Sequence, residues 1–250
     1  MELTFALIVL IILSGFIKGF TGFGLSLLLI SALFDMGFES YEFLPILVPL
    51  FAMLDAILYF EHRKHIEMNF KENFVLHPTT LITLFIGVLS GTYLLSVIEG
   101  EVLKLGFAIL ILVLLFFLIK KVDLHQMRIP SEKSNGYFGL GTGILTGLFT
   151  MNGVPPSLYL MYHQYPKHKY MASLVTFLII SDIILVAVYL FNELFTIEGL
   201  ITSFQLSFMV LAGFLIGSWM RKFVSSKTFK SVVLVFLAVN SLKMIFEFFL

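Results

Sequence analysis

Three ionisable residues, Lys18, Asp55 and Asp182, stand inside stretches of the chain that are otherwise apolar. A lysine at the centre of a hydrocarbon layer costs ~2.5–3.5 kcal/mol on insertion scales, so it faces a cavity, a partner or the interface. Lys18 is therefore either a cation that attracts an anion or a side chain that snorkels or pairs with an acid. Asp55 and Asp182 are candidates for proton exchange. The alternative is structural, with each pairing with Lys18 or capping a broken helix.

The sequence around Lys18 reads Gly15-Phe16-Ile17-Lys18-Gly19-Phe20-Thr21-Gly22-Phe23-Gly24, and a second interruption reads Met151-Asn152-Gly153-Val154-Pro155-Pro156. Glycine and proline interrupt helices. A helix that restarts inside a membrane presents unpaired N–H groups and the positive end of its dipole, which suits an anion. On this reading the restarts fall at Thr21 to Ser26 and at Asn152 to Ser157. Gly22, Gly24 and Gly153 let an anion approach the backbone, and Thr21, Ser26, Asn152 and Ser157 supply side-chain donors. Pro155 and Pro156 suit a first turn, where N–H groups lack intrahelical acceptors. The alternative is that the glycines serve helix packing only.

Apolar elements must position these residues. The chain has 250 residues, 59% hydrophobic and only 13% charged, with a mean hydropathy of +1.01. A soluble domain carries about 25% charge, so this is the composition of an integral membrane protein. A membrane-spanning helix needs about 20 mostly apolar residues, and six such spans are expected at 43–60, 78–97, 102–119, 170–191, 199–220 and 229–249. They lack the period-2 alternation of barrel strands. Two longer apolar regions, 3–34 and 136–162, contain the breaks, and their arms of roughly 8–15 residues fall short of a ~30 Å core at ~1.5 Å per residue. They read as re-entrant hairpins.

The formal charge of zero leaves no polybasic surface for nucleic acid. With no cysteine there is no disulfide, thiolate metal site or iron–sulfur ligation. Glu61-His62-Arg63-Lys64-His65 reads as a charged connector, because it lacks the His-Glu-x2-His order of a zinc site. No metal and no cofactor are expected.

An internal repeat runs through the chain. Gly15-x3-Gly19 recurs as Gly143-x3-Gly147, Asp55 as Asp182, Gly87-x3-Gly91 as Gly213-x3-Gly217, and Lys104 as Lys230, at offsets of 126–128 residues. Four ordered matches point to two copies of one unit, 1–125 and 130–250. The pairs Gly87/Gly91 and Gly213/Gly217 are assigned to close helix packing. Lys18 corresponds to Thr146.

Charge placement bears on whether the broken regions cross. If they do, fourteen loop Lys and Arg residues divide seven to each side. If each is a re-entrant hairpin, thirteen share one face and Lys104 alone stands opposite. The excess of Lys and Arg marks the cytoplasmic side, so the hairpin arrangement is preferred, with both termini outside. The expected fold is then all-α, with two inverted repeats, each a re-entrant hairpin and three transmembrane helices. Such architecture belongs to transporters, which bind substrate where broken helices meet. Crossing by one or both broken helices is the alternative.

At the two breaks the sequence resembles the TauE/SafE family, also called the 4-toluene sulfonate uptake permease family. The resemblance rests on Gly15 to Gly24, on Gly147-x5-Gly153-Val154-Pro155-Pro156-Ser157-Leu158-Tyr159-Leu160, and on both Gly-x3-Gly helices. It extends over essentially the whole chain. The family more often reads Ser-Gly-Pro-Pro where this chain has Asn152-Gly153-Val154 before its prolines. The resemblance implies a multi-pass carrier in the cytoplasmic membrane, the inner membrane of a cell that has two, for sulfite, sulfonates or other small acids.

The resulting expectation is a secondary anion transporter, with the anion held between two broken-helix tips and proton coupling through Asp55 or Asp182. A passive anion channel would use the same features. A membrane-embedded enzyme is the third reading, and the sequence speaks against it: Gly24-Leu25-Ser26 is followed by Leu28 where a nucleophile elbow needs glycine.

Overall fold

A computed structural model describes residues 5–21, 25–62, 74–120, 131–162, 167–220, 223, 242, 245, 246 and 249. Its elements are α1 (Phe5–Thr21), α2 (Leu25–Asp35), α3 (Ser40–His62), a 3-10 turn (Phe74–Leu76), α4 (Pro78–Val97), α5 (Gly100–Lys120), α6 (Ser131–Phe149), α7 (Val154–Tyr162), α8 (Lys167–Phe191) and α9 (Ile197–Met220). No strand occurs among the described residues.

Among the described residues, four helices are long and apolar enough to cross a bilayer: Ser40–Glu61, Pro78–Val97, Lys169–Phe191 and Ile197–Met220. These match the expected spans 43–60, 78–97, 170–191 and 199–220 to within three residues at either end. Their continuous runs of Leu, Ile, Val and Phe specify this outcome, since a helix that is apolar all round satisfies its backbone internally and needs no wet face. α5 covers the expected span 102–119, whereas most of 229–249 lies outside the described residues. α3 keeps Pro45 and Pro49 within its helix. Each removes a ladder donor, a loss that membrane helices tolerate when neighbouring groups re-satisfy the freed carbonyls.

The second region is helix–break–helix, and in the first α1 and α2 flank residues 22–24, which lie outside the described residues; the arms are more unequal than the sequence implied. The first arms, α1 and α6, have 17 and 19 residues, and the second arms, α2 and α7, have 11 and 9. α6 is longer because it starts at Ser131, five residues before the apolar region. Ser131 and Glu132 are good helix-starting types, and polarity at a helix entry is no barrier to helix.

Two helices, α2 and α8, end in Schellman caps. After α2, Gly37 takes a left-handed φ of 81°, with Gly37 N–H donating to Phe34 O and Phe38 N–H to Leu33 O, both at 3.1 Å. After α8, Glu193 does the same at φ 53°, with its N–H on Leu190 O at 3.2 Å and Leu194 N–H on Tyr189 O at 3.0 Å. This geometry satisfies the last carbonyls of each helix.

The chain forms two compact units. One comprises Met1–Phe43, Ile98–Val122 and Phe204–Leu250; the other comprises Leu44–Val97 and Asp123–Ser203. In the first, α1 packs backbone to backbone against α9. A Cβ on Gly15 would strike Val210 O, one on Gly19 Phe214 O, one on Gly213 Ile12 O and one on Gly217 Phe16 O. α1 also packs on α2, and α2 on α5, where the Phe34 ring sits 5.4 Å from Phe43 and 5.6 Å from Phe107. In the second unit the main seam joins α4 to α6. A Cβ on Gly87 would strike Leu140 O, on Gly91 Ile144 O, on Gly139 Thr80 O, and on Gly143 Leu84 O.

The glycine pairs thus meet crosswise. Gly15/Gly19 lie against Gly213/Gly217, and Gly87/Gly91 against Gly143/Gly147, so positions that correspond in the sequence repeat are not spatial partners. Close backbone approach lets long stretches of main chain make van der Waals contact, the attraction left to membrane helices once lipid has removed the hydrophobic drive.

Candidate functional site

The second break is described in full and shows why the helix stops. Continuing α6 unbroken through this segment would need the N–H groups that Pro155 and Pro156 lack. The chain leaves the helix at Thr150, with φ 50°. Thr150 N–H still reaches Thr146 O at 2.8 Å, and Met151 N–H reaches back to Leu145 O at 3.3 Å. α7 then begins at Val154 with both prolines in its first turn. They remove two donors that a helix start normally offers, which leaves the N–H groups of Gly153 and Val154 at its tip. Met151, Asn152 and Gly153 are all buried.

Asn152 is tied to α8. Its Nδ2 donates to Asp182 Oδ1 at 2.6 Å and to Ser181 Oγ at 3.0 Å, while Ser181 Oγ donates to Leu178 O at 2.8 Å. All three residues are buried, Asp182 at 4% exposure. Hydrogen bonds are stronger in a dry, low-dielectric setting, so this amide fixes the break against α8. Both amide hydrogens of Asn152 are thereby committed. Ser157, at the end of the first turn of α7, gives its hydroxyl hydrogen to Gly153 O and is joined to Tyr170 by a side-chain hydrogen bond.

The first break lies in the other unit. Lys18 occupies the last turn of α1 and is buried at 5% exposure, and Ser26, at 8%, opens α2. A cation in a last turn sits at the negative end of the helix dipole, which offsets part of its desolvation. Gly22 and Gly24 fall outside the described residues, as does the side chain of Thr21. Asp55 is fully buried on α3, in the same unit as Asp182.

The structure brings Asn152 and Asp182 together across thirty residues of sequence, a link that sequence reasoning did not draw. It also adds Ser181, Tyr170 and Thr150 to the site. Ser181 is legible as the neighbour of Asp182, but no sequence signal marks the other two. Among the described residues, no three His, Cys, Asp or Glu side chains gather as a metal would need.

The model of the sulfite exporter TauE/SafE family matches residues 7–244. No curated protein and no solved structure matches the chain. A match over nearly the full length, on a helical chain with candidate membrane spans, establishes that this protein belongs to the sulfite exporter TauE/SafE family, a family of multi-pass membrane transporters rather than enzymes.

Proposed function

We propose that the protein is a secondary carrier of sulfite or small organosulfonates in the plasma membrane, taking the anion at its two helix breaks. The observation that carries this reading is the buried Asn152–Asp182 pair at a break where a new helix starts. Gly153 and Val154 supply backbone donors at the start of α7, and Lys18 supplies positive charge at the first break. Thr21, Gly22, Gly24 and Ser26 complete the first site, and Asn152, Gly153 and Ser157 the second. The two breaks belong to inverted repeats, 1–125 and 130–250, whose re-entrant hairpins leave both termini outside.

Proton coupling follows from the chemistry of Asn152. An ionised Asp182 only accepts, so it holds an amide hydrogen of Asn152 at 2.6 Å. Once protonated, the carboxyl group also donates, and its grip on Asn152 weakens. That amide hydrogen then becomes available to an incoming anion, so proton and anion load together. α4, α7 and the 3-10 turn bring no Asp, Glu, Lys, Arg or His to this region, and Glu132 and Lys133 lie at the far end of α6. At ~1.5 Å per residue, Lys133 is roughly 24 Å along the helix from the break. Asp55 is the second carboxylate buried in this unit and the other candidate for the proton.

Counterflow separates a carrier from a passive channel. Proteoliposomes loaded with unlabelled sulfite are expected to take up external tracer faster than empty ones, with saturation. Single-channel conductance without trans-stimulation would replace the carrier by a channel.

A further inference from the structure

Thr150 carries two anomalies that no sequence feature announced. Its φ of 50° places a β-branched residue in the left-handed region, where such side chains are outliers. Its hydroxyl is also buried, at 2% residue exposure, and makes no hydrogen bond. Each has an ordinary form elsewhere in the chain. The other left-handed residues among those described, Gly37 and Glu193, cap helices that lead into exposed loops, and one of them is the glycine such a cap prefers. Ser40, the first residue of α3, also has a buried hydroxyl without a partner, but not a left-handed backbone; Ser31, Thr92 and Thr142 share the unpartnered hydroxyl, and they stand within helices. There a carbonyl one turn back is in reach, and Thr83, Thr146 and Thr176 use theirs at 2.7–2.8 Å. Thr150 has left the helix, and the carbonyl four residues back already receives its N–H.

Strain held at a buried position marks a site whose geometry serves something other than stability. A buried hydroxyl without a protein partner keeps a hydrogen-bonding capacity that costs free energy unless something else uses it. Both fall on one residue in the short connection between α6 and α7, two residues before Asn152. The neighbouring side-chain donors, Asn152 and Ser157, have their hydrogens committed within the protein.

We propose that Thr150 contacts the substrate, its hydroxyl donating to an oxygen of the sulfur oxyanion taken at the second break. This rests on the anion-carrier reading above. In that role Thr150 is the donor ready before any proton arrives, and Asn152 the one released afterwards. A threonine is retained at a position that would favour glycine because glycine has no hydroxyl to offer.

The test is uptake of labelled sulfite and methanesulfonate into proteoliposomes, with thermal stability measured in detergent on the same preparations. Thr150→Val removes the hydroxyl and keeps the shape; it is expected to raise KM about tenfold, as the loss of a hydrogen bond to a charged group does. Thr150→Ser keeps the hydroxyl and is expected to stay within about twofold of wild type on the same grounds. Thr150→Gly relieves the backbone and is expected to raise Tm while raising KM as far as valine does, a combination that a purely structural residue would not give. Wild-type KM in Thr150→Val or Thr150→Gly overturns the proposal while leaving the carrier reading intact, and Thr150→Gly decides the matter if Thr150→Val does not fold. A wild-type protein that is folded yet takes up neither anion removes the carrier reading and this inference with it.

Discussion

Gly143→Ala is expected to destabilise the protein by about 1–3 kcal/mol, the usual cost of forcing a methyl group into a filled contact. The new Cβ would strike Leu84 O and lie 2.8 Å from both Gly87 Cα and Val88 N. All three are backbone atoms, so no rotamer change relieves the collision, and α4 and α6 must move apart along the main seam of their unit. Gly141→Ala is the internal control. It lies on the same helix, is exposed, and has open space where the methyl would go. Alanine is the better helix former by ~1 kcal/mol, so this variant is expected to be neutral or slightly more stable. Thermal or SDS-induced unfolding of the two variants in one detergent measures the difference. Equal stabilities would mean that the seam does not depend on close backbone approach.

The second large effect is at Asp182. Asp182→Asn preserves the shape and still presents an oxygen to the Asn152 amide, so the fold and saturable uptake are expected to persist. What disappears is the response to protons. With one proton moving per anion, an inward gradient of one pH unit adds about 1.4 kcal/mol of driving force, or about tenfold in accumulation. The wild type is expected to show that gain and Asp182→Asn none. Methanesulfonate is the better probe here, because it stays an anion on both sides of the gradient. Asp182→Ala goes further, leaving an Asn152 hydrogen buried without its acceptor, and is expected to cost about 1–3 kcal/mol of stability as well. A gradient response that survives in Asp182→Asn would move the coupling role to Asp55.

The spans were legible because nothing competes with a run of about 20 apolar residues. Pro78–Val97, for instance, is the same in sequence and structure. Helix polarity at the membrane surface was harder to read: Ser131 to Asn135 look like a connector but form the first turns of α6. The glycine stripes were visible as a repeat, yet a repeat reports equivalent positions and not neighbours. Which stripe meets which is set by chain topology, so the crosswise pairing of Gly15/Gly19 with Gly213/Gly217 had to be seen in space.

The candidate site divides in the same way. Residue type singled out Asp182 and Asn152, since a carboxylate in a span and an amide beside Gly-Val-Pro-Pro are unusual there. Their hydrogen bond depends on how α8 packs beside the second break, which no local pattern encodes. Thr150 was invisible for a stronger reason. Propensity argues against φ 50° for a β-branched residue, so only coordinates reveal that the tertiary structure has overridden it. Ser157 shows the converse. Its type announces a donor, but its hydrogen is spent on Gly153.

If, as proposed, this chain carries small sulfur oxyanions on a site that includes the buried cation Lys18, transport must depend on that side chain. The most direct test is uptake of labelled sulfite into proteoliposomes, with and without an inward proton gradient, for the wild type and Lys18→Ala. Saturable wild-type uptake is expected, faster with the gradient, with most of it lost in a folded Lys18→Ala protein. Saturable uptake that is unchanged by Lys18→Ala would contradict the placing of the anion beside that residue, and a folded wild-type protein without saturable uptake would contradict the carrier itself.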